Sequence, residues 1–474
     1  ALDERGIVLK SNQIEGLYQA LHREHYPPLR KFVEKYYINE SGDDIPDETP
    51  LKNRIGRKKN RNKIQLSKQL LEFLDDPDNG FVTLCSKVEL ASTSKDGTTT
   101  KLAVKLHDDH IVESVLMRYV NKDGSRASLC VSSQVGCAMG CTFCATGTMG
   151  IRGNLSSAEI LEQMVHANRI LAREALEQNI LKSEKRKNLD LVRNVVFMGM
   201  GEPLNNYDNV VEACRSLIDR KRWNLAHGKI TVSTVGVTPR IHALTRDLPE
   251  VSLALSLHAP NQKMRTEIVP AAKAYKIEGL IDALDQHMMA YLKKRQGGKY
   301  SGEERMQESS KRRAMIEYVM LEGPTSSFEC AHQLGKLCEN RHLLVNLIPY
   351  NQTDVKDKLR CPSMDHMRKF QQIVTSYKTF CTIRRTMGAD IASACGQLVV
   401  AKEKEAQQKR SENENEAIDI EDAAPQSSTE QASKKARVFK KPYAVLVPKS
   451  GTVKPESGED LEKLVKPLAI ATAV

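Results

Sequence analysis

The chain has 474 residues, of which 40% are hydrophobic, and its 71 Lys and Arg residues outnumber 60 Asp and Glu residues to give a formal net charge of +11. The length accommodates about two to three domains, the charge suggests a polyanionic partner, and the lack of an apolar run of about 18 residues predicts no membrane span. The eleven cysteines are mostly scattered rather than arranged as a dense disulfide framework, which favours a reducing intracellular compartment.

Residues 1–125 are predicted to form a helical, basic N-terminal domain that ends in a small antiparallel sheet. Apolar residues recur at helical spacing in residues 13–22 and 29–37. Seven of the twelve residues in 52–63 are basic and none is acidic. One interpretation of this run is a solvated loop, and the other is a patch that binds the phosphate backbone of a nucleic acid.

The hydrophobic period then changes from helical to strand-like. Residues 88–92, 101–106 and 111–117 have the composition and alternation of strands, and Asp96-Gly97 is a hairpin turn signal between the first two. These segments are the predicted antiparallel sheet.

Residues 126–400 alternate strand-like and helix-like segments. The predicted strands are 127–133, 194–199, 229–234, 251–257, 314–321, 344–349 and 380–385. Helical patterns such as 158–175 and 328–339 separate most of them. Repeated βα units predict an α/β fold, a partial (β/α)6 barrel with a parallel sheet, whose reactive groups belong at the carboxyl ends of the strands.

Polar segments interrupt and follow this pattern. Residues 178–188 and 293–313 are predicted surface loops. Residues 401–474 are predicted to be a disordered tail, because they are too polar to pack a core. The basic run 434–441 is interpreted as part of that solvated tail, with nucleic-acid binding or a nuclear signal as alternatives.

Three cysteines, Cys137, Cys141 and Cys144, lie within eight residues of a glycine-rich loop that follows the first predicted barrel strand. Thiolates are the usual ligands of iron–sulfur clusters, and three of them on a four-iron cube leave one iron open to a substrate or cofactor. A structural zinc site needs four ligands, usually in two pairs, and fits this loop poorly. The pattern therefore predicts a reactive cluster.

The C-x3-C-x2-C spacing resembles the signature of the radical S-adenosylmethionine (SAM) superfamily. In that superfamily the open iron of a [4Fe–4S] cluster chelates the amino and carboxylate groups of SAM, which is cleaved to a 5′-deoxyadenosyl radical. The run Met198-Gly-Met-Gly-Glu-Pro-Leu204 resembles the superfamily's Gly-Glu motif. The resemblance implies that Gly201 and Glu202 bind the SAM amino group.

Further residues at strand ends resemble the SAM contacts of one subfamily, and short polar side chains there suit ribose and base contacts. They are Ser233, Ser256, Leu257, His258 and Asn351. Taken alone, His258 is better interpreted as a structural histidine.

Two cysteines outside the trio narrow the resemblance. Cys130 lies on the first barrel strand, and Cys395 lies in a small-residue turn after the last, so the two would face each other if the sheet curls into a barrel. Residues 127–400 match, in motif order, the 23S rRNA and tRNA adenine-C2 methyltransferases of the radical SAM superfamily. The other matching motifs are Ser256-Leu-His-Ala-Pro, Pro349-Tyr-Asn351 and Ala394-Cys-Gly-Gln-Leu.

This resemblance implies a mechanism. One SAM methylates Cys395, a second SAM yields the radical that activates the S-methyl group, and the resulting carbon radical adds to C2 of adenine. Glu113 then removes the C2 proton, although sequence alone favours a solvent-side strand carboxylate at this position. Cys130 forms a disulfide with Cys395 and frees the methylated base.

The resemblance also implies partners: rRNA and tRNA, an electron donor of flavodoxin or ferredoxin type, and a thiol reductant. We expect a monomer without a membrane partner, in the cytoplasm, or in a chloroplast or mitochondrion if a targeting segment has been removed. Met387, Ala389, Ile151 and Gly153 depart from the family pattern, which indicates a eukaryotic or otherwise divergent member. Two alternatives stay open: an adenine-C8 methyltransferase of the same superfamily, and a catalytically inactive iron–sulfur protein that binds RNA.

Overall fold

The computed structural model describes residues 84–121, 124–177, 191–296, 314–341, 343–353 and 359–398. Its strands are β1 (Lys87–Thr93), β2 (Thr99–Lys105), β3 (Ile111–Asn121), β4 (Gly124–Cys130), β5 (Gln134–Cys137), β6 (Gly150–Asn154), β7 (Val192–Phe197), β8 (Ile230–Thr234), β9 (Ser252–Ser256), β10 (Ala314–Met320), β11 (Leu344–Pro349) and β12 (Phe380–Ile383). Its α-helices are α1 (Ala145–Thr148), α2 (Ser157–Glu177), α3 (Tyr207–Ile218), α4 (Thr238–Asp247), α5 (Gln262–Ile268), α6 (Ile277–Gln296), α7 (Phe328–Cys338) and α8 (Met364–Ser376).

Ten strands form one sheet in the order β1-β2-β3-β4-β7-β8-β9-β10-β11-β12. Strands β1 to β4 pair antiparallel, and every pair from β4 to β12 is parallel. The α/β fold with a mostly parallel sheet is therefore confirmed. The parallel part of the described chain has seven strands, as predicted, and the antiparallel strands predicted as a small sheet continue the same large sheet.

Burial explains why the central strands form a parallel sheet. All five residues of β8 are buried, and in β9 four are buried and Ser256 is half-buried. Strands covered by helices on one face and by the barrel interior on the other have near-continuous apolar runs rather than alternation. Phe197, Leu253, Ile316 and Leu347 are accordingly at most 1% exposed and lie in one hydrophobic core.

Several predicted strands end earlier in the structure than in the prediction. β4 ends at Cys130, β7 at Phe197 and β12 at Ile383, because the chain leaves the sheet there to build loops. Gly199 shows how tightly these loops pack: a Cβ at this position would lie 2.7 Å from the carbonyl oxygen of Val131, so only glycine fits. Apolar composition alone does not mark such strand ends.

The ribbon of β5 and β6 is not predicted from the sequence. A bulge between Val135 and Gly136 breaks its alternation. Gly136 has a φ of +75°, and a Cβ there would lie 1.9 Å from the carbonyl oxygen of Gly150. A strand that contains a bulge and a glycine with left-handed backbone angles lacks the alternation of apolar and polar residues from which strands are predicted.

The segment after β12 returns to the opposite edge of the sheet. The backbone N–H of Lys95 donates to Asp390 (2.9 Å), and Lys101 Nζ donates to the carbonyl oxygen of Ala392 (3.4 Å). A Cβ on Gly388 would lie 2.7 Å from Thr99 Cγ2. The segment therefore packs against the β1–β2 hairpin and brings the two ends of the sheet together.

Some predictions fall on residues outside the described ranges. These are the helices at 13–22 and 29–37, the basic run 52–63, the loop 178–188 and the tail 401–474. The loop predicted from residue 293 begins later, because α6 continues through Gln296. No helix among the described residues has both the length and the apolar character needed to cross a lipid bilayer.

Candidate active site

The three-cysteine loop is a tight turn between β5 and α1. Cys137 is the last residue of β5, and Cys144 is the N-cap of α1 with its N–H bonded to the carbonyl oxygen of Cys141 (3.1 Å). Gly140 has a φ of +65°, and a Cβ on Gly147 would lie only 3.0 Å from the carbonyl oxygen of Cys141. Glycine is needed at both positions because the loop folds back on itself.

Contacts on two sides hold this loop. Thr142 N–H donates to the carbonyl oxygen of Ile268 at the end of α5 (3.0 Å). Ala145 N–H donates to the carbonyl oxygen of Gly396 (2.8 Å), and Thr146 Oγ1 donates to that of Leu398 (2.7 Å). The loop is therefore attached directly to the segment that carries Cys395.

The donor set fits a multi-iron cluster. Burial raises the pKa of Cys137 to about 12 and that of Cys141 well above its usual value, so a metal is needed to hold these sulfurs as thiolates. Burial also raises the pKa of Cys144, and the backbone N–H groups of Gly147 and Thr146 oppose that rise. Among the described residues, no three Cys, His, Asp or Glu side chains are grouped to hold a single ion.

Glu202 is a buried carboxylate at the end of β7, 2% exposed. It accepts N–H groups from Leu204 (3.0 Å) and Val235 (2.9 Å), while its own N–H donates to Gln134 Oε1 (2.8 Å). Burial raises its pKa, and the N–H bonds oppose that shift. A carboxylate has about four lone-pair sites, so Glu202 keeps capacity for an ammonium group. Its neighbour Gly201 has a φ of +102°.

The other predicted cofactor contacts at β8 and β9 lie side by side. Ser233 Oγ and Ser256 Oγ are 3.2 Å apart, so one ligand group can bind both. The N–H groups of Leu257 and His258 bond to the carbonyl oxygen of Glu317 on β10 (3.0 and 3.4 Å). These bonds fix the chain where it turns away from the sheet.

His258 has a structural role in addition to any contact with a ligand. Its Nδ1 accepts the N–H of Val319 (3.1 Å), and its ring meets Phe143 of the cysteine loop edge to face at 4.9 Å. Burial, reinforced by Arg265, lowers its pKa to about 3. The imidazole is therefore neutral and carries its proton on Nε2. Its ring packs against Phe143 and so contacts the cysteine loop.

Cys130 and Cys395 line one cavity of about 140 Å³, together with Asn351. Cys130 is 7% exposed, and burial followed by the nearby Cys395 raises its pKa to about 12. Arg384 lines the same cavity, and its pKa is raised first by Cys395 and also by Glu317. Arg384 opposes the rise in the pKa of Cys130, and Arg385 lines the cavity as a second cation.

Glu113 lies next to this cavity rather than in its lining. It shares a face of β3 with the lining residues Val115 and Met117, and it is 3% exposed. Lys101 Nζ lies 3.2 Å from its carboxylate, and the same Nζ reaches the carbonyl oxygen of Ala392. The carboxylate is therefore buried on the barrel side, not on the solvent side that its sequence pattern favours.

Sequence reasoning missed several residues of the site. Gln134 orients Glu202, Lys101 pairs with Glu113, and Phe143 packs on His258. Arg265 is completely buried and donates to the carbonyl oxygens of Leu257 and Val235. A lysine on a strand or an arginine on a short helix carries no local signal, because its partner is far away in the chain. The position of Phe143 between two cluster cysteines was the one hint that the sequence contained.

Comparisons with known proteins agree with this geometry. Residues 131–292 match the model of the radical SAM superfamily. The chain is 36% identical over 337 residues to "Ribosomal RNA large subunit methyltransferase N" of Nitrosopumilus maritimus, covering 70% of this chain and 86% of that protein. It is 38% identical over 308 residues to "Dual-specificity RNA methyltransferase RlmN 1" of Myxococcus xanthus, covering 65% and 75%. A crystal structure of a radical SAM methyltransferase from Sphaerobacter thermophilus aligns with a TM-score of 0.64 and 30% identity, covering 84% and 95%.

Proposed function

Because the chain belongs to the RlmN family of radical SAM RNA methyltransferases, we propose that it methylates C2 of an adenine in RNA with a methyl carrier at Cys395 and a resolving thiol at Cys130. The observation that carries this proposal is that one cavity is lined by both cysteines, although they are 265 residues apart in the sequence. A two-thiol release step needs its sulfurs in one pocket.

The enzyme uses a [4Fe–4S] cluster and SAM. Cys137, Cys141 and Cys144 would hold the cluster. Glu202 with Gly201 would bind the SAM amino group, and the residues lining the rest of the cofactor pocket would be Ser233, Ser256, Leu257, His258 and Asn351. When bound, the cluster and SAM supply a carbon radical that can take a hydrogen atom from an unreactive C–H bond.

The protein's own side chains handle the methyl group. The Cys395 sulfur would take a methyl group from one SAM molecule by polar attack: a new S–C bond forms, the S–CH3 bond of SAM breaks, and S-adenosylhomocysteine leaves. The Arg384 guanidinium lines the same cavity. After one hydrogen atom has been taken from the S-methyl group, its carbon links Cys395 to C2 of the base and leaves one unpaired electron on the adduct. Glu113 is the carboxylate available to remove the C2 proton, and the unpaired electron would return to the cluster, which restores the aromatic ring. Cys130 then attacks the Cys395 sulfur: an S–S bond forms, the S–C bond breaks, and the carbon keeps the electron pair and gains a proton. A thiol reductant must restore both thiols.

The RNA class comes from the relatives' names, which specify ribosomal RNA of the large subunit and dual specificity. We propose rRNA and tRNA as substrates, with an electron donor of flavodoxin or ferredoxin type. The adenine must leave its stack to reach Cys395 at the barrel mouth. A monomer in the cytoplasm, or in an organelle, stays a prediction.

The decisive test of function is to map 2-methyladenosine in rRNA and tRNA from cells with and without this gene. Loss of the modification at a defined adenine supports the proposal. Methylation at C8 instead, identified by mass spectrometry of the modified nucleoside, would assign the chain to the alternative chemistry. Anaerobically reconstituted protein that yields no 5′-deoxyadenosine with SAM and a reductant would exclude an active radical enzyme.

Replacing Glu202 with Gln should weaken SAM binding by about 10- to 100-fold. The change removes a charge-assisted hydrogen bond worth about 1.5–3 kcal/mol. The measurement is a SAM binding isotherm on reconstituted protein with matched iron content. Glu267→Gln, an exposed glutamate on α5, is the control and should bind SAM as the unmodified protein does. Equal affinity in both variants would remove Glu202 from the cofactor site.

Neutralising Lys58, Lys59 and Arg61 together should weaken RNA binding and flatten its salt dependence. The log–log slope should fall by about one for each phosphate group that the protein no longer neutralises. The measurement is RNA affinity across a salt series. Neutralising Lys434, Lys435 and Arg437 in the predicted tail removes the same charge and should change neither quantity. Unchanged affinity at moderate salt would leave residues 52–63 as a solvated loop.

A further inference from the structure

Arg265 is a buried arginine to which the proposed function assigns no role. It lies on α5 and is 0% exposed. Its Nε donates to the carbonyl oxygen of Leu257 (3.1 Å), and its Nη2 donates to those of Val235 and, at 3.5 Å, Ser256. These carbonyls end β8 and β9, so Arg265 ties together the two strands that carry the serine pair.

One nitrogen of this guanidinium is left over. Arg265 Nη1 is buried and has no hydrogen-bond partner among the residues that the structure describes. Buried donors in native proteins are nearly always paired, and an exception requires an explanation such as a group supplied by a ligand. A guanidinium also keeps its positive charge at neutral pH. Arg265 is therefore a buried cation with a free donor.

The surroundings of Arg265 identify where its charge acts. The helix that carries it ends at Ile268, whose carbonyl oxygen accepts the N–H of Thr142 in the cysteine loop (3.0 Å). Cys141 packs in one apolar cluster with Val269, directly after that helix. Val235, whose carbonyl oxygen accepts a hydrogen bond from Arg265 Nη2, and Ile268 pack against the same cluster. The guanidinium is therefore bonded to the residues that pack directly against the cysteine loop.

We propose that Arg265 raises the reduction potential of the cluster held by Cys137, Cys141 and Cys144, through its buried positive charge behind the residues that pack against the cysteine loop. Reduction adds one negative charge to the cluster, and a nearby cation in a water-poor site stabilises that state. Hydrogen bonds and charges around the ligands are the means by which a protein sets such potentials. The inference rests on the proposed function only in that this trio holds the cluster.

The test is the midpoint potential of the reconstituted full-length protein, measured by a redox titration followed by electron paramagnetic resonance. Arg265→Gln removes the charge and should lower the reduced-to-oxidised ratio at a fixed potential at least tenfold, which is 59 mV for a one-electron couple. Arg265→Lys keeps the charge and should stay within tenfold of the unmodified protein. Arg341→Gln, which breaks a half-buried ion pair with Asp285, is the matched control and should show no shift in the potential.

Two results would overturn the proposal. The first is an equal midpoint potential in the Gln variant and the unmodified protein, even if the Gln variant binds SAM more weakly. The second is a tenfold change of the reduced-to-oxidised ratio in the Lys variant. If the Gln variant does not assemble its cluster, the Lys variant alone decides the test. Both readouts need iron and an electron donor but no RNA. Failure here is therefore distinguishable from failure of the methyltransferase proposal, which RNA methylation reports.

Discussion

A Cys130→Ala enzyme should react once and then remain covalently attached to its RNA. In the proposed mechanism the base is linked through a methylene to Cys395, and Cys130 is the thiol that breaks the S–C bond. Alanine cannot attack the sulfur, and no other described cysteine lines the cavity with Cys395. Multiple turnover should therefore fall on the order of a thousandfold or more, while the linked complex accumulates.

The complex is measured as labelled RNA that migrates with the protein under denaturing conditions. Cys214→Ala is the matched control, since Cys214 is also buried, lies on α3 and has a pKa that burial raises to about 12. The control should turn over normally and carry no RNA. Turnover by the Cys130 variant, or a variant without linked RNA, contradicts the resolving role of this thiol.

A Cys395→Ser enzyme should neither take up a methyl group nor become linked to RNA. A serine hydroxyl is a weak nucleophile at neutral pH, whereas a thiolate beside Arg384 is a strong one. Methylation should fall by on the order of a thousandfold or more. Combined with Cys130→Ala, the change should also abolish the trapped complex, because the carrier itself is gone.

Intact-protein mass after incubation with SAM measures the methyl uptake. Cys361→Ser alters a partly exposed cysteine outside the cavity lining and should leave one methyl group on the protein. Uptake that persists in the Cys395 variant would assign the carrier to another side chain. The yield of 5′-deoxyadenosine from SAM measures the activity of the cluster separately. A normal yield shows that the Cys395 variant has lost the methyl carrier and not the cofactor.

The site depends on how the two ends of the sheet meet. Lys101 on β2 contacts both the carboxylate of Glu113 and the carbonyl oxygen of Ala392, three residues before Cys395. The cysteine loop is bonded to Gly396 and Leu398 on the far side of the same segment. The predicted base, carrier and cluster ligands therefore share one connected frame.

Sequence patterns predicted the presence of the strands better than the residues at which they begin and end. The ten strands of the large sheet were all predicted, because buried parallel strands carry continuous apolar runs and the antiparallel strands alternate. The ribbon of β5 and β6 was missed because Gly136 replaces alternation with a left-handed turn. The pairing of β3 with β4, which joins the antiparallel and parallel strands into one sheet, could not be predicted, because neither strand's own sequence specifies its neighbour. The domain limits at 125 and 400 stay predictions.

By itself, the sequence determined the chemistry that is local in the chain. Three cysteines within one turn, and Gly-Glu after a strand, need only short-range geometry to form their sites, so spacing predicts them. Only the tertiary structure decided that Cys130 and Cys395 share a cavity, that Glu113 is buried beside Lys101, and that Arg265 joins the ends of β8 and β9. Those relations join residues far apart in sequence, and they exist because the sheet curls until its opposite ends pack together.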